Sequence, residues 1–336
     1  MDFTFSVVPG KTIHSLVHAN IPECIRQVEA AYLAHDDKQT VNPDSYFLRF
    51  PEQPQNRIIA LPACLRAGTD VAGIKWIASW PGNIQRGIQR ASAVLVLNDL
   101  ETGYPFACLE SSIISAARTA GSAVLAASWL NGRSSRVKSL AIIGNGFIAR
   151  YIYEFMMELG WEIEELCLHD VAPTESERFS SQVVRKERHS RITVEADLAS
   201  ALRSSELIVL TTVAPKPYIN DLALLAHHPI ILNISLRDIA PEIILQSHNI
   251  VDDVEHVMKA DTSPHLAEKL SGGRAFVNGT LAALIRGRCS VDRTRPTIFS
   301  PFGLGVLDLA LGKWIYDEAV KAGTAIAIQD FFRAER

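Results

Sequence analysis

Apolar positions along this chain change their spacing several times, and each change marks an element. Over residues 21–34 they recur at helical spacing. Three short apolar runs follow, at 57–61, 72–77 and 93–97, and these read as strands. Turn signals at Asp70 and at Glu101-Thr102-Gly103-Tyr104-Pro105 punctuate them. To about residue 118 this predicts a strand-rich α+β organisation. From Ser111 to Leu130, Ile113, Ile114, Ala117, Val124 and Leu125 are spaced for one buried helical face, and Asn131-Gly132 supplies the stop.

Beyond that helix, strands and helices alternate: strands at 140–143, 165–168, 207–211 and 229–234, with a helix at 149–159. Such alternation predicts βαβ crossovers and a parallel sheet. From Gly303 the pattern is helical again through Ala319 and is expected to return to the first domain, because the termini of a domain-inserted chain usually meet. The expected fold class is α/β: a Rossmann dinucleotide-binding domain at 119–303, inserted in a discontinuous α+β substrate-binding and dimerisation domain made of 1–118 plus 304–336. No internal repeat or low-complexity tract interrupts this plan.

Composition narrows the function. A chain of 336 residues, 48% of them apolar, has material for two packed cores. Its net charge of −4 is dispersed, so no basic face for nucleic acid is expected and a small-molecule partner is favoured. The longest apolar stretch, 120–130, falls short of the roughly 20 residues that cross a bilayer. Met1-Asp2-Phe3-Thr4 lacks the basic-then-apolar pattern of a signal peptide, so no membrane partner and a cytoplasmic location are expected. Cys24, Cys64, Cys108, Cys167 and Cys289 stand singly, which argues against a disulfide framework and a structural zinc site. His227-His228 and the other histidines have no metal-ligand spacing, so no metal is expected.

The sharpest local signal is Gly144-Asn145-Gly146-Phe147-Ile148-Ala149, a G-x-G-x-x-A run between a strand and a helix. The first glycine permits the tight turn, the second lets the backbone approach a pyrophosphate, and Ala149 allows close helix–strand packing. The helix start then offers unpaired N–H groups to the phosphates. Asp170, at the end of the next strand and roughly 20 residues on, is placed to accept hydrogen bonds from ribose hydroxyls and to repel a 2′-phosphate, favouring NAD over NADP. Arg150 and Arg178 are the cations that would serve a 2′-phosphate instead. Later strand ends add Thr211, Thr212 and Val213, then Asn233 and Ser235, then Asp252 or Asp253, as loops that meet the cofactor.

With those motifs, the chain resembles the ornithine cyclodeaminase/mu-crystallin family. The resemblance runs from about Ile58 to Ala319 through Gly73-Ile74-Lys75-Trp76, Asp99-Leu100-Glu101-Thr102-Gly103-Tyr104-Pro105, Arg118-Thr119-Ala120, the glycine loop, and Ser300-Pro301-Phe302-Gly303 with Asp308. It implies a homodimer in which the discontinuous domain forms the substrate pocket and the dimer interface, and the inserted domain presents the nicotinamide. It also implies that Lys75 is the active-site lysine, that Arg118 and, more loosely, Arg49 bind carboxylate, and that Ser300 and Gly303 lie beside the nicotinamide. Asp308 is expected to orient a helix N-terminus.

One departure bears on the reaction. Ornithine cyclodeaminases carry a catalytic aspartate after the strand at 231–234, where this chain has Ser235-Leu236, with Asp238 about two residues late. The segments Lys75-Trp76-Ile77, Arg86-Gly87-Ile88-Gln89-Arg90-Ala91-Ser92 and Leu232-Asn233-Ile234-Ser235 look more like the N-(2-amino-2-carboxyethyl)-L-glutamate dehydrogenase branch, which serves 2,3-diaminopropionate and siderophore biosynthesis. That branch oxidises the glutamate Cα–N bond with NAD and hydrolyses the imine. Three substrate carboxylates suit the set Arg49, Arg57, Arg86, Arg90 and Arg118, with Ser92 alongside, because guanidinium binds carboxylate bidentately. Lys75, flanked by Ile74, Trp76 and Ile77, is the candidate general base, its pKa lowered by desolvation. The alternatives on this scaffold are a ketimine reductase, an alanine dehydrogenase, an ornithine cyclodeaminase-like enzyme, or a non-catalytic mu-crystallin-like binding protein.

Overall fold

In the computed structural model, which describes residues 4–332, the chain divides into two units: the residues up to Arg118 together with those from Leu304 onward, and Thr119–Gly303. The first unit opens with β1 (Phe5–Val8), α1 (Gly10–Ala19), α2 (Ile21–Asp36), β2 (Thr40–Val41) and β3 (Tyr46–Arg49). It continues with β4 (Arg57–Leu65), β5 (Val71–Ser79), β6 (Ala91–Asp99), β7 (Pro105–Glu110) and the start of α3 (Ser112–Leu130). The second unit holds β8 (Arg136–Ile143), α4 (Phe147–Glu158), β9 (Glu162–His169), α5 (Pro173–Gln182), β10 (Arg191–Val194), α6 (Leu198–Arg203), β11 (Leu207–Leu210) and β12 (Ile230–Asn233). Then come α7 (Pro241–Leu245), β13 (His248–Val251), α8 (Val254–Val257), α9 (Ser263–Ser271), β14 (Val277–Thr280), α10 (Leu281–Ile285) and β15 (Thr297–Ser300). The chain then returns to the first unit as α11 (Gly305–Lys321) and β16 (Ile326–Ile328).

The first unit's sheet runs β16-β1-β7-β6-β5-β4-β2, with β3 also paired to β4. Its pairs are antiparallel apart from β1–β7. One face is covered by α11, which packs on β4, β5 and β6 and is backed by α2 and α1. Side chains alternate across a strand, so Val71, Lys75 and Ser79 of β5 are buried while Trp76 is exposed. Gly73 permits the close approach of α11: a Cβ there would lie 2.2 Å from the Val96 carbonyl oxygen and 2.9 Å from Leu309 Cδ2. The opposite face is apolar and open. Register places Tyr46, Ala60, Trp76 and Val94 in one row across four strands, and Tyr46, Trp76 and Val94 are exposed, as is Leu48 nearby.

The strands expected at 57–61, 72–77 and 93–97 are each longer, nine residues apiece. The short strands β1, β2, β3, β7 and β16 carry no sustained alternation and were outside the sequence reading. Pro105, read as the end of a turn, is the first residue of β7, a position where its missing N–H is tolerated. The expected turn is real: Asp99 Oδ1 accepts from the Glu101 and Thr102 N–H groups. The apolar stretch at 120–130 lies within α3, which matches the helix expected over 111–130 to within one residue; its 19 residues could by length and composition alone cross a membrane, yet 67% of its most apolar window is buried inside the protein.

The second unit is one parallel sheet of eight strands in the order β10-β9-β8-β11-β12-β15-β13-β14. Its central strands β11, β12 and β15 are buried at every position, as a parallel sheet covered on both faces requires. Ala141, Ile143, Ile208, Leu210, Ile231 and Ile298 form its core. Counted within the unit, the first five strands follow the order 3-2-1-4-5, which reverses between β8 and β11. Ligands of such sheets bind beyond the carboxyl ends of the strands at that reversal.

Candidate active site

The reversal is where β8 ends in the glycine turn. Gly144 has φ +88°, and a Cβ on it would lie 2.9 Å from both Thr211 C and Thr212 N. The turn is thus pressed against the loop after β11, and Thr211 Oγ1 donates to the Gly144 carbonyl at 2.7 Å. The Asn145 side chain is internal, donating to the Ile142 carbonyl and accepting from Ser176 Oγ at 2.6 Å. Its backbone N–H donates to Asp170 Oδ2 at 2.8 Å, while Asp170 Oδ1 takes the Ala172 N–H at 2.9 Å. Asp170 therefore ties β9 to the glycine turn.

Gly146 is the N-cap of α4, and among the described residues no side chain caps that helix start. No described atom lies within 4 Å of where a Gly146 Cβ would be. An uncapped helix N-terminus with a bare glycine before it leaves N–H groups and room for an anion. Phe147 is partly exposed beside it and Val213 is strongly exposed, whereas Ile148 is half-buried. Arg150 is paired to Glu154 at 2.7 Å and Arg178 to Glu175, so both cations considered for a 2′-phosphate have carboxylate partners.

Two further carboxylates are structural props. Asp238, fully buried, accepts from Thr212 Oγ1 at 2.9 Å and from the Tyr218 hydroxyl at 2.9 Å, and burial pushes its carboxyl up. It steadies the loop after β11. Asp252, also buried, accepts from the Gly303 N–H at 2.7 Å and the Asp253 N–H at 2.8 Å. Asp253 caps α8. At the end of β12, Asn233 Nδ2 donates to Ser300 Oγ at 3.2 Å, while Asn233 Oδ1 is buried with no hydrogen-bonding partner among the described residues. Ser235 follows in the turn, its N–H bonded to the Leu210 carbonyl.

In the first unit, Lys75 is 2% exposed, and its Nζ donates to Asp308 Oδ2 at 2.6 Å and to Ser115 Oγ at 3.2 Å. Asp308, fully buried in the first turn of α11, uses its other oxygen, Oδ1, to accept from Arg118 Nε at 3.3 Å. Burial pushes the Lys75 ammonium down to about 8; Asp308 opposes that shift and Arg118 adds to it. This corrects the expectation for Asp308. It does not cap α11; at that helix start the Val306 N–H donates to Asn42 Oδ1 at 3.2 Å.

Register sorts the remaining candidates. Arg49 pairs with Arg57, and Arg57 with Ser79, so both arginines lie on the sheet face that carries Lys75. Arg90 joins them by donating from Nη1 to Ser79 Oγ at 2.7 Å, and burial lowers its pKa. Arg49 also lies over the Phe47 ring. Arg86 ends a short 3-10 turn and is exposed. Ser92 pairs with Ala78 and so projects to the open face, away from Lys75. Asp308 as the bridge between Lys75 and Arg118 escaped sequence reasoning. The available signal was a lone acid among Val306, Leu307, Leu309 and Ala310 in a chain with a buried lysine to neutralise.

A parallel sheet with the 3-2-1-4-5 reversal and a glycine turn leading into a bare helix start defines a Rossmann-class protein. The model of the ornithine cyclodeaminase/mu-crystallin family matches residues 11–323, and the chain belongs to that family. It is 29% identical over 299 residues to the N-((2S)-2-amino-2-carboxyethyl)-L-glutamate dehydrogenase of Staphylococcus aureus (strain NCTC 8325 / PS 47), covering 86% of this chain and 88% of the relative. Among solved structures, Thermococcus litoralis Delta(1)-pyrroline-2-carboxylate reductase in complex with NADH and L-proline superposes with a TM-score of 0.86 at 22% identity, over 97% of this chain and 100% of that one. An archaeal alanine dehydrogenase dimer with bound NAD gives a TM-score of 0.85 at 24% identity, over 98% and 100%.

Proposed function

We propose that this protein is an NAD-dependent oxidoreductase that cleaves N-(2-amino-2-carboxyethyl)-L-glutamate to L-2,3-diaminopropionate and 2-oxoglutarate. The observation that carries the reading is the face of the first unit's sheet: Lys75 lies on it, and Arg49, Arg57 and Arg90 gather at the Ser79 end. Lys75 and Ser79 are four steps apart along β5, about 13 Å at roughly 3.3 Å per residue. A lysine with lowered pKa, a half-buried Arg118 and a distal arginine group suit a substrate with several carboxylates around one amine nitrogen. The Staphylococcus aureus relative, named for that substrate, supports the same choice.

The second unit takes the dinucleotide. Gly144, Asn145, Gly146, Phe147 and Ile148 form the pyrophosphate turn, and Asp170 supplies the carboxylate that faces the adenosine ribose. Thr211, Thr212, Val213, Asn233, Ser235, Ser300 and Gly303 line the rest, and the unpartnered Asn233 Oδ1 is an acceptor awaiting a donor. Bound NAD supplies the two-electron acceptor. The NADH and NAD held by the two structural relatives support this assignment.

In the first unit, Arg118 anchors a substrate carboxylate and Lys75 Nζ takes the proton from the substrate nitrogen, freeing its lone pair for the C=N bond as the glutamate Cα–H bond breaks. Water then adds to the imine carbon, the C–N bond breaks, and Lys75 Nζ returns a proton to the departing amine. Buried Asp238, held by Thr212 and Tyr218, is not free to act as the aspartate of a cyclodeaminase.

The protein acts as a homodimer through the open row of Tyr46, Trp76 and Val94. An exposed apolar sheet face of this kind marks an interaction surface, and the archaeal relative is a dimer. Trp76→Glu should halve the mass seen by analytical ultracentrifugation; an unchanged mass sinks this assignment.

A second reading, alanine dehydrogenase or cyclic imine reductase, draws on the exposure of Arg49 and Arg86. If neither grips substrate, fewer carboxylates are recognised. Purified protein with NAD and N-(2-amino-2-carboxyethyl)-L-glutamate decides between them. Formation of NADH with 2-oxoglutarate and 2,3-diaminopropionate, identified by mass spectrometry, supports the first. Turnover of alanine with NAD, or of a cyclic imine with NADH, in parallel samples, with no turnover of that substrate, supports the second.

A further inference from the structure

We propose that Asp308 is a positioning residue that holds the Lys75 ammonium and the Arg118 guanidinium in one fixed geometry, one carboxylate oxygen to each. The proposal rests on the reading above of Lys75 as proton acceptor and Arg118 as carboxylate anchor. Asp308 is fully buried and its two oxygens are divided, Oδ2 to Lys75 Nζ at 2.6 Å and Oδ1 to Arg118 Nε at 3.3 Å. A carboxylate spent on two cations fixes the spacing between them and is itself no ligand for substrate.

Three features keep the clamp rigid. Asp308 stands in the first turn of a 17-residue helix, where the helix dipole favours a negative charge. Gly73 lets that helix lie against β5 through Leu309, the residue next to Asp308. Ser115 Oγ accepts a further hydrogen bond from Lys75 Nζ at 3.2 Å, restricting rotation of the ammonium. Groups carried on packed helices and strands hold reactive geometry better than loops do.

Asp308 also sets the charge state of Lys75. Among the described residues, the charges acting on Lys75 are Asp308 from α11 and Arg118 from α3, while β4 and β6 set apolar Leu61 and Leu95 beside it. Without Asp308 the two cations would repel at close range, and Lys75 would lose its proton at lower pH.

The test reads Lys75 directly, without turnover. Protein labelled with 15N at lysine Nζ is titrated by NMR, with Lys75→Met identifying the resonance, in the natural chain and in Asp308→Asn and Asp308→Glu. Asp308→Asn should lower the Lys75 midpoint by about 1–3 pH units, and Asp308→Glu, which keeps the charge, should restore it. An unmoved midpoint in a folded Asp308→Asn protein overturns the proposal. If Asp308→Asn does not fold, the double variant with Lys75→Met decides: removal of the stranded cation should recover a cooperative Tm, and failure to recover it overturns the pairing. In turnover assays Asp308→Asn should lose about 10²-fold in kcat through misplacement. A natural chain that titrates as expected but turns over none of the three substrate types sinks the functional reading and leaves the clamp standing.

Discussion

Gly73 and Leu309 touch where β5 meets α11: a Cβ on the glycine would stand 2.9 Å from Leu309 Cδ2 and 2.2 Å from the Val96 carbonyl oxygen. The leucine could give way, but the carbonyl belongs to the sheet itself. Gly73→Ala should therefore push α11 outward or bend β5, costing about 1–3 kcal/mol as overpacking does. Urea unfolding would show this as a lower midpoint at unchanged slope. Catalytic efficiency should fall as well, because Asp308 moves with the helix.

The pH dependence follows from Lys75. Burial pushes its pKa down from 10.5 to about 8, and in the proposed reaction the neutral amine is the proton acceptor. For substrate oxidation, log kcat/KM should climb with unit slope as pH rises toward 8 and then level off. Stability has the same sign. Between about 8 and 10.5 the unfolded chain binds more protons at this residue than the folded one, so stability should rise with pH through that window. A rate profile flat from pH 6 to pH 9 would remove Lys75 from the proton-accepting role.

Arg90 and Arg57 offer a test of substrate size. Replacing either with lysine keeps the charge but loses the planar fork. Turnover of the tricarboxylate should drop about 10-fold or more, corresponding to roughly 1.4 kcal/mol or more of transition-state stabilisation, while any activity on alanine stays unchanged. Equal losses on both substrates would mean that these arginines support the sheet edge and do not read the distal carboxylate.

Gly144 tests the dinucleotide turn. At φ +88°, with Thr211 and Thr212 backbone atoms in the way, alanine is strained by both its backbone and its Cβ. Gly144→Ala should weaken NADH binding by about 10-fold or more, which isothermal titration calorimetry would measure, and the loss should appear with no substrate present.

Much of this arrangement was legible in the sequence because it is local. β8, the glycine turn and α4 are contiguous, and Asp170 follows at a spacing set by one helix and one strand. Lys75 was legible for the same reason, as a charge inside an apolar strand. Facts that depend on pairing between distant strands were not. Ser92 looked like a neighbour of the arginine group, yet its side of the sheet depends on the β5–β6 register, and a shift of one residue reverses it. Arg86 and Arg90 sit four apart as if on a helix, but the turn ends at Gly87 in the left-handed region and only Arg90 reaches Ser79. Asp308 was hardest, because its partner is 233 positions away in the chain.

That separation orders events on the ribosome. When Lys75 emerges, the aspartate that will neutralise it has not been made, and at roughly 5–20 residues per second the wait is on the order of tens of seconds. Throughout it, the strands around Lys75 lack both their counter-ion and the helix that covers them. The parallel sheet between Arg136 and Ser300, by contrast, is complete before α11 appears. The part of the molecule translated first is therefore the last to close.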